Sequence, residues 1–149
     1  MSQTRLPPPQ RSSFLHFRAV QTRWMDNDAL GHVNNVTYYS YFDTVVNLYL
    51  LGPCALDIHK SPIIALMAET GCRFRASFAY PDAIEAGLRV GELGRSSVRW
   101  ELGLFANGED QARVHGFMVH VFVDRLSQRP VPIPVAMRTA LQKIAHSTA

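Results

Sequence analysis

The pattern of hydrophobic and polar positions contains one long apolar run, residues 36–51. Eleven of its residues are apolar or aromatic, and neither glycine nor proline interrupts it. Strands are rarely so long, so we interpret the run as a helix from about Asn35 to Leu51 rather than as a central strand. Asn34 or Asn35 can cap the start of this helix, and Gly52-Pro53 ends it. Because apolar residues lie on nearly all its sides, we expect the helix to be buried.

The remaining patterns predict strands and one closing helix. The predicted strands cover about residues 14–24, 62–77, 88–93, 97–104 and 112–124, and a short amphipathic helix covers residues 135–146. Alternation is cleanest from Val98 to Leu104, where every second residue is apolar. Gly71 is a candidate bulge, and Asn107-Gly108 predicts a hairpin. The pattern therefore predicts an α+β fold in which one antiparallel sheet covers the central helix.

Composition indicates one domain. A chain of 149 residues, 47% of them hydrophobic, can build a single core, which we assign to residues 13–149. Residues 1–12 include Pro7-Pro8-Pro9 and are predicted to be a mobile N-terminal arm. No apolar run reaches the roughly 18 residues of a membrane span, and the first residues lack the apolar core of a secretory signal. We therefore expect a cytoplasmic protein that makes no membrane contact.

Charge and cysteine content exclude several classes of function. The net charge is +3, and thirteen of the fifteen basic residues are arginines dispersed along the chain. Dispersed arginines are typical of a solvated surface, so we expect no nucleic-acid partner, although a few on one face would suit a phosphorylated small molecule. Cys54 and Cys72 lack metal-ligand spacing and are expected to be free thiols. No other spacing of ligand residues predicts a metal site.

The candidate chemistry lies just before the central helix. Five candidate side chains fall within ten residues, two of them acids, one an imidazole and two amides: Asp26, Asp28, His32, Asn34 and Asn35. Such a density is unusual for a connecting loop, and we interpret the polar entrance to the helix as an active site. The structural alternatives are loop capping and Asx turns for the acids and helix capping for the amides.

These residues bear a resemblance to a known family. The pattern Asp26-x-Asp28-x-x-Gly31-His32-Val33-Asn34-Asn35-x-x-Tyr38, followed by an apolar helix with Asp43, resembles the hotdog-fold acyl-CoA thioesterases of the 4-hydroxybenzoyl-CoA thioesterase type. Glu69 in the next strand, residues 94–97 before a hairpin and residues 120–124 before the proline-rich exit also fit. The resemblance covers nearly all of the chain from residue 14 to residue 144.

The resemblance implies a fold, a reaction and an assembly. The fold would be a curved antiparallel sheet wrapped around a long central helix. The reaction would be hydrolysis of a coenzyme A thioester, or sometimes of an acyl-carrier-protein thioester, without a metal or redox cofactor. The active sites would lie between protomers of a homodimer or homotetramer. A non-catalytic hotdog domain that binds acyl-CoA is a further alternative, and the acyl group itself is not legible from the sequence.

The resemblance also assigns roles to residues. Asp28 matches the catalytic carboxylate, which would act as nucleophile or as base for a water molecule. The backbone N–H of Asn35, at the helix N-terminus, would stabilise the oxyanion. For His32, two uses are open: to orient water or the carboxylate, or to satisfy buried backbone groups.

A further set of residues is assigned to substrate binding. Tyr38 would shape the acyl pocket, and Arg95, Ser96 and Ser97 would hold coenzyme A phosphates unless they form a plain hairpin turn. Glu69 would contact the substrate or act as a second acid, or else be structural. Asp43 is expected to be a buried acid paired with Arg73 or Arg75.

Overall fold

The structure, a computed structural model, describes residues 6–146 and contains five strands and two α-helices. The strands are β1 (His16–Gln21), β2 (Ile63–Phe74), β3 (Ala83–Leu93), β4 (Ser97–Ala106) and β5 (Val114–Asp124), and the helices are α1 (Asn35–Leu51) and α2 (Val135–Gln142). The predicted order of strand, helix, four strands and helix is confirmed. Within residues 6–146, no helix combines the length and hydropathy that a membrane crossing requires.

All five strands form one antiparallel, curved sheet in the order β1-β3-β4-β5-β2. The strands that flank α1 in the chain, β1 and β2, therefore lie at opposite edges of the sheet. The connection between them crosses the inner face, and α1 is that crossing. The predicted alternation of β4 is confirmed, because Val98, Trp100, Leu102 and Leu104 are all buried on this face.

Helix α1 has the predicted bounds of Asn35 and Leu51, but its burial differs from the prediction. Its buried residues recur at helical spacing and include Tyr38, Tyr41, Phe42, Val45, Val46, Tyr49 and Leu50. Val36, Leu48 and Leu51 are exposed. The prediction of burial on all sides is therefore wrong for a single chain, because one sheet can cover only one face of a helix.

Two local predictions about the strands also need correction. The bulge in β2 lies between Met67 and Glu69 rather than at Gly71. A Cβ at Gly71 would approach the ring of Phe117 to 2.5 Å, so glycine is needed there for close packing. β3 begins at Ala83, five residues before the predicted start, because its first residues pair with β1.

The described part of the predicted N-terminal arm lies against the β4–β5 hairpin, while residues 1–5 lie outside the described residues. Gln10 forms a β-bridge with Gln111, and the Arg11 N–H donates to the Asp110 carbonyl at 2.7 Å. The Arg11 guanidinium forms an ion pair with Glu85 at 3.0 Å. Residues 6–12 therefore make specific contacts with the sheet.

Candidate active site

The loop before α1 is anchored by Asp26. This carboxylate is buried, and it accepts hydrogen bonds from the Arg23 N–H at 2.9 Å and from the Tyr41 hydroxyl. Desolvation acts to raise the pKa of Asp26, but the hydrogen bonds from Tyr41 and Arg23 outweigh it and hold the pKa below its usual value. Asp26 therefore ties the loop to α1 as a buried anion.

The carboxylate of Asp28 is only partly engaged by the loop. Its Oδ1 accepts the Leu30 N–H at 2.8 Å, as in an Asx turn. The backbone closes around it, because the Asp28 N–H donates to the His32 carbonyl at 2.9 Å and Gly31 adopts a φ of 83°. Within residues 6–146, no donor contacts the second oxygen, Oδ2. One carboxylate oxygen therefore stays available to another group.

The start of α1 leaves a backbone donor open. The Asn34 side chain caps the helix by accepting the Val36 N–H at 3.0 Å, and the Asn34 carbonyl accepts the Thr37 N–H at 2.9 Å. The N–H of Asn35, the first helical residue, has no acceptor among residues 6–146. Such N–H groups at a helix N-terminus are not used within the helix and carry partial positive charge.

A cavity of about 330 Å³ joins these groups. Asp28, His32, Asn35 and Tyr38 all line it, so the structure brings together the predicted residues that lie close in sequence. The Tyr38 hydroxyl accepts the Phe78 N–H at 3.1 Å, and burial raises the pKa of Tyr38, which therefore stays protonated. The cavity thus contains an available carboxylate, an exposed imidazole and the open end of a helix.

The cavity wall also includes residues that no local sequence pattern indicates. Phe74 and Arg75, together with Ala76 and Ser77, extend from the end of β2 along one side. The Phe74 ring lies 5.6 Å from that of Tyr38. The alternating segment after Cys72 could have indicated a strand end near the site, but only the sheet order brings it to the start of α1.

The other predicted binding residues lie outside this cavity. Glu69 is exposed on β2, opposite Val119 of β5. Arg95 and Ser96, with Ser97 at the first position of β4, form the β3–β4 turn. There the Arg138 guanidinium donates to the Arg95 carbonyl, and the Phe122 N–H donates to the Ser96 carbonyl. This turn lies at the opposite end of the sheet from the cavity.

Asp43 differs from its prediction. It is exposed, and its Oδ1 accepts a hydrogen bond from the Asn47 amide at 3.0 Å, one helical turn away. The expected burial and pairing with Arg73 or Arg75 are wrong, because position 43 lies on the face of α1 that the sheet leaves uncovered. Within the described part of the chain, no cluster of three or more His, Cys, Asp or Glu side chains could hold a metal ion.

Comparison with known proteins identifies the family. A family model described as the thioesterase-like superfamily matches residues 20–141. The chain belongs to the thioesterase-like superfamily. The match covers the site loop, α1 and the greater part of the sheet, and it confirms the predicted enzyme class, a thioester hydrolase. The finer assignment to the 4-hydroxybenzoyl-CoA thioesterase type stays a prediction.

Solved structures resemble this superfamily member over most of its length. A protein from Pseudomonas aeruginosa strain PAO1 is 50% identical, with a TM-score of 0.92 over 96% of this chain and 100% of its own. A putative thioesterase from Pseudomonas aeruginosa is 26% identical, with a TM-score of 0.78 over 85% and 98%. A 1,4-dihydroxy-2-naphthoyl-CoA thioesterase from Synechocystis is 14% identical, with a TM-score of 0.77 over 85% and 94%. A search of curated proteins found no significant match.

Proposed function

We propose that this protein hydrolyses an acyl-CoA thioester to a free acid and coenzyme A in the cavity beside Asp28. The proposal depends on one observation: Asp28, which has an open carboxylate oxygen, and Asn35, which has an unpaired N–H within residues 6–146, line the same 330 Å³ cavity. A thioester needs an oxygen that attacks its carbonyl carbon and a donor for the charge that develops on its carbonyl oxygen. The thioesterase-like family and the name of the Synechocystis protein support a coenzyme A ester as substrate.

In the proposed reaction, the carbonyl oxygen of the thioester accepts the Asn35 N–H. As a general base, Asp28 takes a proton from water while the water oxygen bonds to the carbonyl carbon. Collapse of this intermediate breaks the C–S bond, and the proton passes to the departing thiolate. As a nucleophile, Asp28 instead bonds to the carbonyl carbon and expels the thiolate, and water then cleaves the mixed anhydride. Both routes need the second carboxylate oxygen that the loop leaves open.

Other residues of the cavity have supporting roles in this proposal. His32 is exposed at the rim and would orient the attacking water. Tyr38 and Phe74 would form the wall against the acyl group, because their rings lie side by side. Arg75 brings a positive charge to the same cavity.

A second copy of the chain completes the proposed site. β2 is an edge strand of 12 residues, and Leu66 and Met67 on it are exposed. An unpaired apolar edge can pair with a second chain. Antiparallel pairing of two β2 strands about a two-fold axis brings the start of one strand to the end of the other. The Arg95–Ser97 turn lies at the same end of the sheet as the start of β2, so the partner would bring this turn toward the cavity.

The proposed function is tested by following thiol release from short-chain, long-chain and aromatic acyl-CoA esters. We expect turnover with at least one class, and a matched acyl-carrier-protein thioester should be hydrolysed more slowly. Faster hydrolysis of the carrier-protein ester would change the assigned substrate. Tight binding of acyl-CoA without thiol release would show that the protein binds acyl-CoA and does not hydrolyse it.

A further inference from the structure

A second cavity lies on the outer face of the sheet, the face opposite α1. Its volume is about 790 Å³, and it shares no lining residue with the cavity beside Asp28. The segment Leu6–Gln10 forms one wall, held by the Arg75 guanidinium, which donates to the Leu6 carbonyl at 2.7 Å. Cavities of this size accommodate small organic ligands.

Aromatic rings hold two guanidinium groups in this outer cavity. The Arg99 guanidinium carbon lies 3.8 Å from the centroid of the Phe117 ring, and that of Arg89 lies 4.8 Å from the centroid of Phe14. Glycines allow both rings to lie close to the sheet. A Cβ at Gly103 would approach Phe14 to 3.0 Å, and a Cβ at Gly71 would crowd Phe117. The two cations are therefore fixed in position before any ligand arrives.

The lining of the outer cavity contains one carboxylate and three guanidinium groups. Glu101 accepts from Arg89 Nε at 2.7 Å and lies 3.9 Å from Arg99 Nε, so Arg89 has the stronger pairing. Arg73 also lines the cavity, and no acid within residues 6–146 pairs with it. His115 lies opposite Arg73, and burial together with Arg75 and Arg73 lowers the pKa of His115, so this side chain is neutral at pH 7. The cavity thus keeps positive charge that the chain does not neutralise.

We propose that the outer cavity is a second binding site, for a small organic carboxylate with an aromatic or aliphatic body. Arg73 and Arg99 would hold the carboxylate, because guanidinium groups bind planar oxyanions through paired hydrogen bonds. Phe14, Phe117 and the proline segment Pro7–Pro9 would contact the body. Arg73 and Arg99 are the cations left for the ligand, since Arg89 is already paired with Glu101 and the Arg99 contact with Glu101 is long.

Calorimetry with 1-naphthoate as probe and 1-naphthalenemethanol as its uncharged control tests the proposal. We expect naphthoate to bind at least tenfold more tightly than the alcohol, and more weakly as salt is raised. Arg73→Gln and Arg99→Gln should each weaken naphthoate binding about tenfold, the loss of one charge-assisted contact. The Arg73 side chain is exposed and makes no hydrogen bond within residues 6–146, so its variant should fold normally. Arg18→Gln, an exposed change on β1, is the matched control.

Backbone amide NMR shifts then locate the bound probe. We expect naphthoate to shift the amide signals of Gly71, Arg99 and Phe117 and to leave those of residues 28–35 unchanged. Thiol release from acyl-CoA should be unchanged in Arg73→Gln. Equal binding of the alcohol, unchanged binding in both arginine variants, or shifts confined to residues 28–35 would each overturn it. Absence of binding, or tighter binding of phenyl phosphate than of naphthoate, would also overturn it. Because this site is separate from the Asp28 cavity, the binding and NMR outcomes do not depend on whether the protein hydrolyses acyl-CoA.

Discussion

At the scale of single residues, two aspartates that stand two positions apart have different surroundings. Asp26 is buried and accepts from Tyr41 and Arg23, so its carboxylate has no capacity for a substrate. Asp28 lines the cavity and uses one oxygen on the Leu30 N–H. Asp28, which has an open carboxylate oxygen, is therefore suited to catalysis, and Asp26 is suited to holding the loop in place.

Replacement of Asp28 by asparagine should therefore separate activity from stability. We expect Asp28→Asn to lower kcat about a hundredfold or more, because an amide neither attacks nor accepts a proton. The amide oxygen can still accept the Leu30 N–H, so the free energy of unfolding should change by less than about 0.5 kcal/mol. Thiol release and urea unfolding measure the two quantities. Asp110→Asn, in the exposed β4–β5 hairpin, is the control, and activity of Asp28→Asn within a few-fold of wild type would refute the assignment.

Asp26→Asn should instead mainly affect stability. The variant weakens the bonds from Tyr41 and Arg23, and we expect it to lose about 1–3 kcal/mol of unfolding free energy. Because the pKa of Asp26 is lowered in the folded state, its stabilisation is present above the unfolded value of 3.8 and is lost as pH falls through the lower folded value. The stability difference between wild type and variant should therefore shrink below pH 3.8. A difference that stays constant between pH 7 and pH 3 would contradict this account.

At the scale of elements, local patterns predicted what depends on neighbours in sequence. The bounds of α1 were predictable because Asn34 caps its first turn and Gly52 follows its last residue. The early start of β3 was not, because it depends on pairing with β1 across some sixty residues of chain. The exposed side of α1 was missed for a similar reason. The hydrophobic side chain of Leu48 favours burial, but the position of the sheet determines which face of α1 is covered.

The candidate site also combines residues that are close in sequence with residues that are distant in sequence. Asp28, His32, Asn35 and Tyr38 lie within eleven residues of chain, so one loop and one helical turn bring them together. Phe74 and Arg75 come from a distant strand whose position at the sheet edge no local pattern contains. The outer cavity depends on the register of several strands, and the arginines that line it looked like ordinary surface charge in the sequence.

The cap of α1 connects this element to the proposed chemistry. Asn34→Ala removes the acceptor of the Val36 N–H and should cost about 1 kcal/mol of stability. Because the proposed oxyanion donor is the next N–H, loosening of the first turn should lower kcat more than it raises KM. Thermal unfolding and thiol-release kinetics measure these effects. Ser40→Ala, an exposed change within α1, should alter neither, and a normal kcat in Asn34→Ala would count against the Asn35 donor.

At the scale of the whole molecule, the two edges of the sheet differ. β1 is a short strand of 6 residues with one exposed large apolar side chain, Phe17, whereas β2 has 12 residues and exposes Leu66, Met67 and Phe74. β2 also lies between the two cavities, since residues 71–73 line the outer cavity and residues 74–77 line the cavity beside Asp28. Whatever covers this edge therefore affects the surroundings of both cavities, which is the physical reason for expecting the assembly and the activity to be linked.

A charge on the β2 edge should separate the copies. In Met67→Lys, the two-fold axis of the proposed dimer would bring two ammonium groups close together, and lysine at an edge strand opposes pairing. We expect wild type to sediment as a dimer or a dimer of dimers, and Met67→Lys to shift toward monomer with a parallel loss of thiol release. Leu126→Lys places the same charge on a residue that is 92% exposed after β5 and should leave both properties unchanged. An active monomeric wild type, or a monomeric Met67→Lys with full activity, would show that one chain suffices for the reaction.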